Sequence, residues 1–270
     1  MSILIPVLVL FGVALLCALL LTLANTFFGV KEDQKAKDIR ECLPGANCGA
    51  CGYSGCDGYA KALAEGTTDA TNLCVPGGDA TASEIAALLG VDALDVVEKV
   101  AYVACNGTCN ATPTKYDYRG PKTCHAVEQF YSGDKACTYA CHGYGDCVRA
   151  CPQNAISICD GVARVDQQLC IGCGICVREC PNHIIRLIND TTKVVVRCSN
   201  HDKGAQTRKS CTNGCIGCMK CEKTCPSGAI KVQNNLATMN DALCTGCGAC
   251  VEACPVHCLQ LGSFIGGTHH

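Results

Sequence analysis

Cysteine thiolates at regular spacing dominate the C-terminal third of the chain and are the residues best suited to chemistry. Two runs, CIGCMKCEKTCP and CTGCGACVEACP, each place three cysteines at C-x2-C-x2-C and a fourth cysteine three residues further on, before a proline. Thiolates bind soft metals, and this spacing wraps a [4Fe-4S] cubane. Gly217, Gly246 and Gly248 permit the backbone turns that the wrap requires. Zinc sites use cysteine pairs rather than triplets, so the runs indicate iron–sulfur clusters rather than zinc or disulfides.

The proline-terminated runs also predict how the ligands are shared. In bacterial two-cluster ferredoxins, the fourth cysteine of each run ligates the other cluster. One cluster is therefore predicted to use Cys215, Cys218, Cys221 and Cys254. The other is predicted to use Cys244, Cys247, Cys250 and Cys225.

Composition limits the class of protein. The 270 residues include 29 cysteines and only 5% aromatic residues, too few for an ordinary large core. Clusters and their thiolates are therefore expected to serve as local cores, which leaves the metal-free protein poorly folded. Disulfides are not expected, because the spacing is that of metal ligands. The net charge of −2 and the lack of a basic stripe with aromatics exclude a nucleic-acid partner.

The N-terminus is predicted to be a membrane anchor. Residues 1–30 carry no charged side chain, and Ile3–Ala24 is almost wholly apolar. A run of this length is enough to cross a bilayer core of ~30 Å as a helix. Lys31, Lys35 and Lys37 follow at once, so the positive-inside rule places the remaining chain in the cytoplasm. The expected localisation is single-pass in the cell inner membrane.

A first cysteine module is predicted at 31–80, with glycines beside its leading cysteines. Its four candidate ligands for one [4Fe-4S] cluster are Cys48, Cys51, Cys56 and Cys74. A zinc ribbon is the alternative for this spacing. A helical spacer and linker are predicted at 81–135, with one helix opened by Thr81 and ended by Gly90 and a second over Asp92–Val103.

The middle of the chain repeats the C-terminal pattern less faithfully. One predicted cluster uses Cys170, Cys173, Cys176 and Cys151. The other belongs to a stretched run and uses Cys137, Cys141, Cys147 and Cys180. Strands are expected beside both repeats, at Val162–Asp166, Ile184–Ile188, Lys193–Arg197, Ala229–Gln233 and Leu236–Asn240.

Five clusters leave nine cysteines without a role. Four of them lie in loops around the middle repeat and could hold a sixth cluster, with Cys109 as an alternate ligand: Cys105, Cys124, Cys198 and Cys211. No compact motif supports that set, so five and six clusters both remain open.

The predicted fold class is α+β: a single N-terminal transmembrane helix, a small helical [4Fe-4S] module, and two tandem bacterial-type two-cluster ferredoxin-like domains at 136–200 and 201–270.

The module order resembles a known family. Besides the ferredoxin motifs, the chain contains CGACGYSGC, VACNGTC, KYDYRG and VRCSNHDKG. It resembles the B subunits of Rnf complexes, the ion-translocating ferredoxin:NAD oxidoreductases of anaerobic bacteria. The resemblance implies a subunit that accepts electrons from reduced ferredoxin and passes them to partners in a membrane complex. Another subunit of such a complex reduces NAD, while electron flow drives Na+ or H+ across the membrane.

The sequence offers no catalytic residues of its own. It lacks a glycine-rich dinucleotide motif between a strand and a helix, so no NAD site is expected in this chain. The alternative function is a polyferredoxin subunit of another membrane enzyme, such as a hydrogenase or reductase. A structural or storage protein for zinc or iron is a rival from another class.

A docking face for acidic ferredoxin is expected at four basic residues: Arg208, Lys209, Lys220 and Lys223. The alternative is that these residues are ordinary solvated side chains.

Overall fold

The computed structural model describes residues 4–28 and 33–262. Its α-helices in those ranges are α1 Leu4–Phe28, α2 Gln34–Cys42, α3 Cys56–Ala64, α4 Gly78–Leu89, α5 Cys124–Glu128, α6 Asp146–Ala150, α7 Ile175–Glu179, α8 Gly204–Ser210, α9 Lys220–Thr224 and α10 Ala249–Glu252. The strands are β1 Lys99–Val103, β2 Ile156–Cys159, β3 Val162–Val165, β4 Ile185–Asn189, β5 Val194–Val196, β6 Ile230–Gln233, β7 Leu236–Met239 and β8 Leu259–Leu261. Single 3₁₀ turns occupy Val75–Gly77 and Asp241–Leu243.

The predicted membrane anchor is wrong. Within the described ranges, no helix has the length and apolarity needed to cross a membrane. This contradicts the transmembrane helix predicted at 1–30 and the single-pass location in the cell inner membrane. The prediction used the composition of the whole apolar run. Both ends of the predicted anchor, residues 1–3 and 29–30, lie outside the described residues.

The first module, residues 34–89, is three helices packed around loops that carry cysteines. Ile39 of α2, Tyr59 and Leu63 of α3 and Ile85 of α4 form its buried core. Gly90 ends α4 as predicted, because its φ of 69° is the left-handed conformation that a helix C-cap favours.

The second helix predicted for the spacer, over Asp92–Val103, is wrong. The structure has strand β1 at Lys99–Val103 instead. Its antiparallel partner is β4, with Val103 opposite Ile185. That partner lies more than eighty residues away along the chain, so a local apolar period could not reveal the pairing.

Two ferredoxin-like units follow, and each is built from an outer strand pair that encloses a hairpin. In the middle unit, residues 99–189, β1 pairs with β4 around the β2–β3 hairpin. In the C-terminal unit, residues 194–261, β5 pairs with β8 around the β6–β7 hairpin. The five predicted strands correspond to β3, β4, β5, β6 and β7, and no end is shifted by more than one residue.

The cores of both units mix small apolar residues with cysteines. Ile184 and Val162 are fully buried in the middle unit, and Ile230 and Val194 in the C-terminal unit. In these two units, the helices that bear cysteines have only four or five residues each: α5, α6, α7, α9 and α10. Helices this short are marginal alone, so their geometry depends on what their cysteines hold.

Candidate iron–sulfur sites

The four predicted ligands of the first module lie together. Cys48, Cys56 and Cys74 are buried and Cys51 is half-buried. The pKa of the Cys74 thiol is raised to about 11, mainly by burial and also by the three neighbouring thiolates. The Asn47 side-chain oxygen accepts a hydrogen bond from the Cys56 backbone N–H at 2.9 Å. This bond fixes the cysteine loop against the first turn of α3.

In the C-terminal unit, the structure also brings the predicted sets together. Burial raises the pKa of the Cys221 thiol to about 11, with added repulsion from Cys215, Cys218 and Cys254. Burial likewise raises the pKa of the Cys250 thiol, with repulsion from Cys225, Cys244 and Cys247. In each set, three cysteines come from one run and the fourth from the other run. This is the crossed arrangement that the two proline-terminated runs predict.

A glycine turn holds one of these runs in place. Gly217 lies between two cysteines of the set and has a φ of 63°, a left-handed conformation that favours glycine. A Cβ there would lie 3.1 Å from the Asn235 Cα atom and carbonyl oxygen. The turn therefore packs directly on the β6–β7 hairpin and admits no larger residue without movement of that backbone.

The C-terminal unit contains a buried thiol, Cys258, which is one of the nine cysteines that the sequence left without a role. Cys258 is 2% exposed, and its Sγ lies 3.6 Å from the Cys254 Sγ. The pKa of the Cys254 thiol is lowered, first of all by the hydrogen bond from Cys258, and the same thiol lowers the pKa of Cys215. Because metal ligands must be thiolates, a donor at this position favours the form that binds metal.

In the middle unit, the regular set lies together. Burial raises the pKa of the Cys176 thiol to about 12, with repulsion from Cys170, Cys173 and Cys151. Cys176 sits in α7, which Gly174 precedes in a left-handed conformation.

The stretched run is grouped differently from the prediction. Burial raises the pKa of the Cys147 thiol to about 12, with repulsion from Cys141, Cys124 and Cys180. A cavity between helices α5 and α6 is lined by those same four cysteines and not by Cys137. Cys124 thus stands where Cys137 was predicted.

Helix α5 brings Cys124 to this position. The Thr123 hydroxyl caps the helix by accepting a hydrogen bond from the Ala126 N–H. The buried Asp146 carboxylate accepts another from the His125 N–H at 3.0 Å, which ties α5 to the start of α6. A capping Thr before a cysteine was the signal available in the sequence, but it does not tell which cavity the helix faces.

Cys137 instead belongs to a central group between the two units, which we define as Cys105, Cys137, Cys198 and Cys211. All four are buried and line one cavity. The pKa of Cys137 is raised by burial to about 11, with repulsion from Cys105 and Cys211. The sequence proposed Cys124 as the fourth member of this set, so the structure exchanges Cys124 and Cys137 between the two groups.

Nitrogen donors surround the central group. The N–H groups of Gly107 and Cys141 lie 3.3 and 3.4 Å from the Cys105 Sγ. The Cys198 Sγ accepts from the N–H groups of Asn200 and Cys215 at 3.5 and 3.3 Å.

A side chain adds a further donor to the central group. Asn200 is 1% exposed, and its amide nitrogen donates to the Cys137 Sγ at 3.4 Å. Asn200 was not among the sequence candidates. Its role depends on a contact with a residue 63 positions earlier in the chain.

The donor chemistry fits [4Fe-4S] clusters. Each group offers four thiols without disulfides between them in the described ranges. The N–H donors point at the sulfur atoms, as they do around clusters whose thiolates and sulfides accept hydrogen bonds. Bound clusters would supply one-electron transfer, which the side chains around the sulfurs tune.

Comparisons with known families define the class of protein. Residues 43–76 match an Fe-S cluster family, and residues 169–230 and 214–258 each match a 4Fe-4S dicluster domain. The chain is an iron–sulfur protein with ferredoxin-type domains.

Comparisons with curated proteins then give the family. The chain is 40% identical to the B subunit of the Na+-translocating ferredoxin:NAD+ oxidoreductase complex of Acetobacterium woodii, over 96% of this chain and 78% of that protein. It is 38% identical to the proton-translocating counterpart of Clostridium ljungdahlii over 95% and 90%, and 40% identical to the B subunit of the ion-translocating oxidoreductase complex of Methanosarcina acetivorans over 94% and 96%. The chain belongs to the family of Rnf complex B subunits. It is an iron–sulfur electron-transfer subunit of that ion-translocating ferredoxin:NAD+ oxidoreductase, and other subunits of the complex are its partners.

Proposed function

We propose that this subunit accepts electrons from reduced ferredoxin and conducts them through six [4Fe-4S] clusters to other subunits of the complex. Six four-cysteine groups account for 24 of the 29 cysteines. The proposed ligand sets are Cys48, Cys51, Cys56 and Cys74; Cys151, Cys170, Cys173 and Cys176; Cys124, Cys141, Cys147 and Cys180; Cys105, Cys137, Cys198 and Cys211; Cys215, Cys218, Cys221 and Cys254; and Cys225, Cys244, Cys247 and Cys250.

The observation that carries this proposal is that neighbouring groups lie close to one another in a line. From the first module, Cys48 lies close enough to Cys173 for its thiolate to contribute to the raised pKa of that residue, after burial as the main cause. Cys176 has the same relation to Cys147, across the two groups of the middle unit.

The line continues through the central group. The Cys141 N–H donates to the Cys105 Sγ, and the Cys215 N–H donates to the Cys198 Sγ. The central group therefore lies beside one ligand group of each unit. A line of adjacent sites from the first module to the C-terminal unit is what one-electron conduction requires.

Exposure suggests which end of the line receives electrons. Of the proposed ligands, Cys218 and Cys247 are exposed, and both belong to the C-terminal unit. Lys220 and Lys223, on helix α9 beside Cys218, are exposed as well. A soluble acidic donor would meet accessible sulfur and positive charge at this end. We therefore place ferredoxin at the C-terminal unit, with electrons leaving through the first module.

Strand pairing supports domain limits that differ from the predicted ones. We propose a middle ferredoxin-like unit at 99–189 rather than 136–200, because β1 pairs with β4. We propose a C-terminal unit at 194–261 rather than 201–270, because β5 pairs with β8. Each unit then carries an insertion after its first strand, and each insertion supplies two cysteines of the central group.

Iron analysis tests the proposal. Anaerobically purified protein should contain about 24 Fe and a similar amount of acid-labile sulfide per chain, four of each per cluster. Its broad visible absorption should bleach when reduced ferredoxin is added. A content near eight Fe, a colourless protein that holds zinc, or bleaching by dithionite but not by ferredoxin would contradict the proposal.

A further inference from the structure

Lys135 is a buried cation without a carboxylate partner. Lys135 is 7% exposed. Its Nζ donates to two backbone carbonyl oxygens, that of Gly161 at 2.7 Å and that of Gly107 at 3.4 Å. Across residues 4–28 and 33–262, no carboxylate oxygen lies within 4.0 Å of the Lys135 Nζ. A buried ammonium group without an opposite charge is costly, so its position calls for an anion nearby.

The two carbonyls that Lys135 binds belong to loops of two different cysteine groups. Gly107 donates its own N–H to the Cys105 Sγ of the central group at 3.3 Å. Gly161 leads into β3, where the Ala163 N–H donates to the Cys141 Sγ at 3.5 Å. Lys135 thus lies between the central group and the neighbouring group of Cys124, Cys141, Cys147 and Cys180.

The backbone around Lys135 holds it there. Lys135 forms an antiparallel β-bridge with Thr114, and the next residue, Ala136, donates its N–H to the Pro113 carbonyl at 2.8 Å. Cys137 of the central group follows two residues after Lys135. The ammonium group is therefore positioned by the same segment that supplies a ligand.

We propose that Lys135 is a shared counter-charge for the two clusters on either side of the junction and raises the reduction potential of both. The inference rests on the proposed ligand groups. Four thiolates make each such site anionic, and every one-electron reduction adds a further negative charge. A fixed positive charge in a poorly hydrated interior stabilises the reduced cluster more than a positive charge exposed to water would. Lys135 acts through the sulfur ligands and their loops, so it is a positioning residue.

Three variants of the full chain separate charge from hydrogen bonding. Lys135→Gln removes the charge but keeps an N–H donor, Lys135→Arg keeps the charge, and Lys115→Gln is the matched control. Lys115 also donates to a backbone carbonyl, that of Tyr131 at 2.7 Å, but it is exposed to solvent. Each variant is titrated anaerobically against potential, with electron paramagnetic resonance as the readout and iron content measured beforehand.

We expect Lys135→Gln to make reduction of two clusters about tenfold less favourable, a 59 mV lower midpoint for a one-electron step, with the other clusters unchanged. Lys135→Arg and Lys115→Gln should leave all midpoints in place. Unchanged midpoints in Lys135→Gln, or equal shifts in the Gln and Arg variants, would overturn the inference.

Iron content keeps the two proposals distinguishable. Lys135→Gln could also lose iron. In that case, full iron content and wild-type midpoints in Lys135→Arg would still support a role for the positive charge. Loss of iron in both variants would overturn the inference. If the unmodified protein itself held far fewer than about 24 Fe, the six-cluster proposal would fail instead.

Discussion

The two ligand groups of the C-terminal unit and the central group each gather four cysteines, but they draw on the chain in different ways. In the C-terminal unit, Cys215, Cys218 and Cys221 belong to one short run, and a second run supplies the fourth ligand. The central group takes single cysteines from four separate segments between 105 and 211. A short run imposes its geometry locally through glycine turns, whereas the central group exists only when both units are folded and packed together.

The two regions also differ in their contact with solvent. Cys218 and Cys247 of the C-terminal unit are exposed, while every member of the central group is buried. The Cys137 and Cys198 sulfurs accept hydrogen bonds from the buried Asn200. This difference suits exchange of electrons with a soluble partner at one site and relay between units at the other.

The largest effect is expected from loss of a central ligand. Cys211→Ala should remove about four Fe and slow reduction of the first module by ferredoxin more than the ~100-fold that loss of an outer-shell partner causes at most, because a ligand and its cluster are lost from the line. The C-terminal clusters should still be reduced, because their ligands are untouched. Stopped-flow spectroscopy with reduced ferredoxin measures both events.

Cys109→Ala is the matched control for that variant. Cys109 is exposed and belongs to none of the six groups. It should retain full iron and a normal rate. Normal reduction of the first module in Cys211→Ala would show that the central group is not on the route.

A moderate effect is expected at the exposed end of the C-terminal unit. Lys220→Glu combined with Lys223→Glu should slow reduction by ferredoxin about tenfold at low salt, because charge steering is lost. The difference should shrink at ~1 M salt, where the Debye length falls to about 3 Å. Lys35→Glu combined with Lys61→Glu, two exposed changes on the first module, is the control of equal net charge. An equal effect of this control pair, or no effect of the pair on α9, would move the donor site elsewhere.

The smallest effect is expected from the buried thiol beside the C-terminal ligands. Cys258→Ala removes the donor 3.6 Å from the Cys254 Sγ. The reduction equilibrium of that cluster should become about threefold less favourable, or ~30 mV for one electron. Cys258→Ser should keep the reduction potential close to that of the wild type, because a hydroxyl also donates a hydrogen bond. Equal potentials for Cys258→Ala and wild type would leave Cys258 as packing alone.

Much of the fold was predictable where the sequence pattern is local. The two proline-terminated runs and the hairpins beside them follow from spacing and from alternating apolar residues. The end of α4 at Gly90 was predictable because a glycine at that position can take the left-handed conformation that ends a helix. The anchor prediction relied on the same kind of local evidence, but the finding on membrane-spanning helices contradicts it.

The remaining features depend on contacts between distant segments. The segment of strand β1 was predicted as a helix from the local period of its apolar residues. That period could not reveal its partner β4, which lies far along the chain. Cys137 lies in a loop, whereas Cys124 begins the short helix α5, but the capping Thr123 does not tell which cavity that helix faces. One signal was available: Cys105 and Cys198 each follow the first strand of a unit by two residues. Recognition of that repeated position would have paired the two insertions.

Iron content of two double variants tests the grouping of the cysteines most directly. Under the proposed grouping, Cys105→Ala with Cys137→Ala disrupts one cluster and leaves about 20 Fe per chain, and so does Cys124→Ala with Cys141→Ala. Under the grouping predicted from sequence, each pair would break two clusters and leave about 16 Fe. Values near 20 for both variants, with one resonance signal lost in each, are the expected result. Values near 16 would contradict the central group.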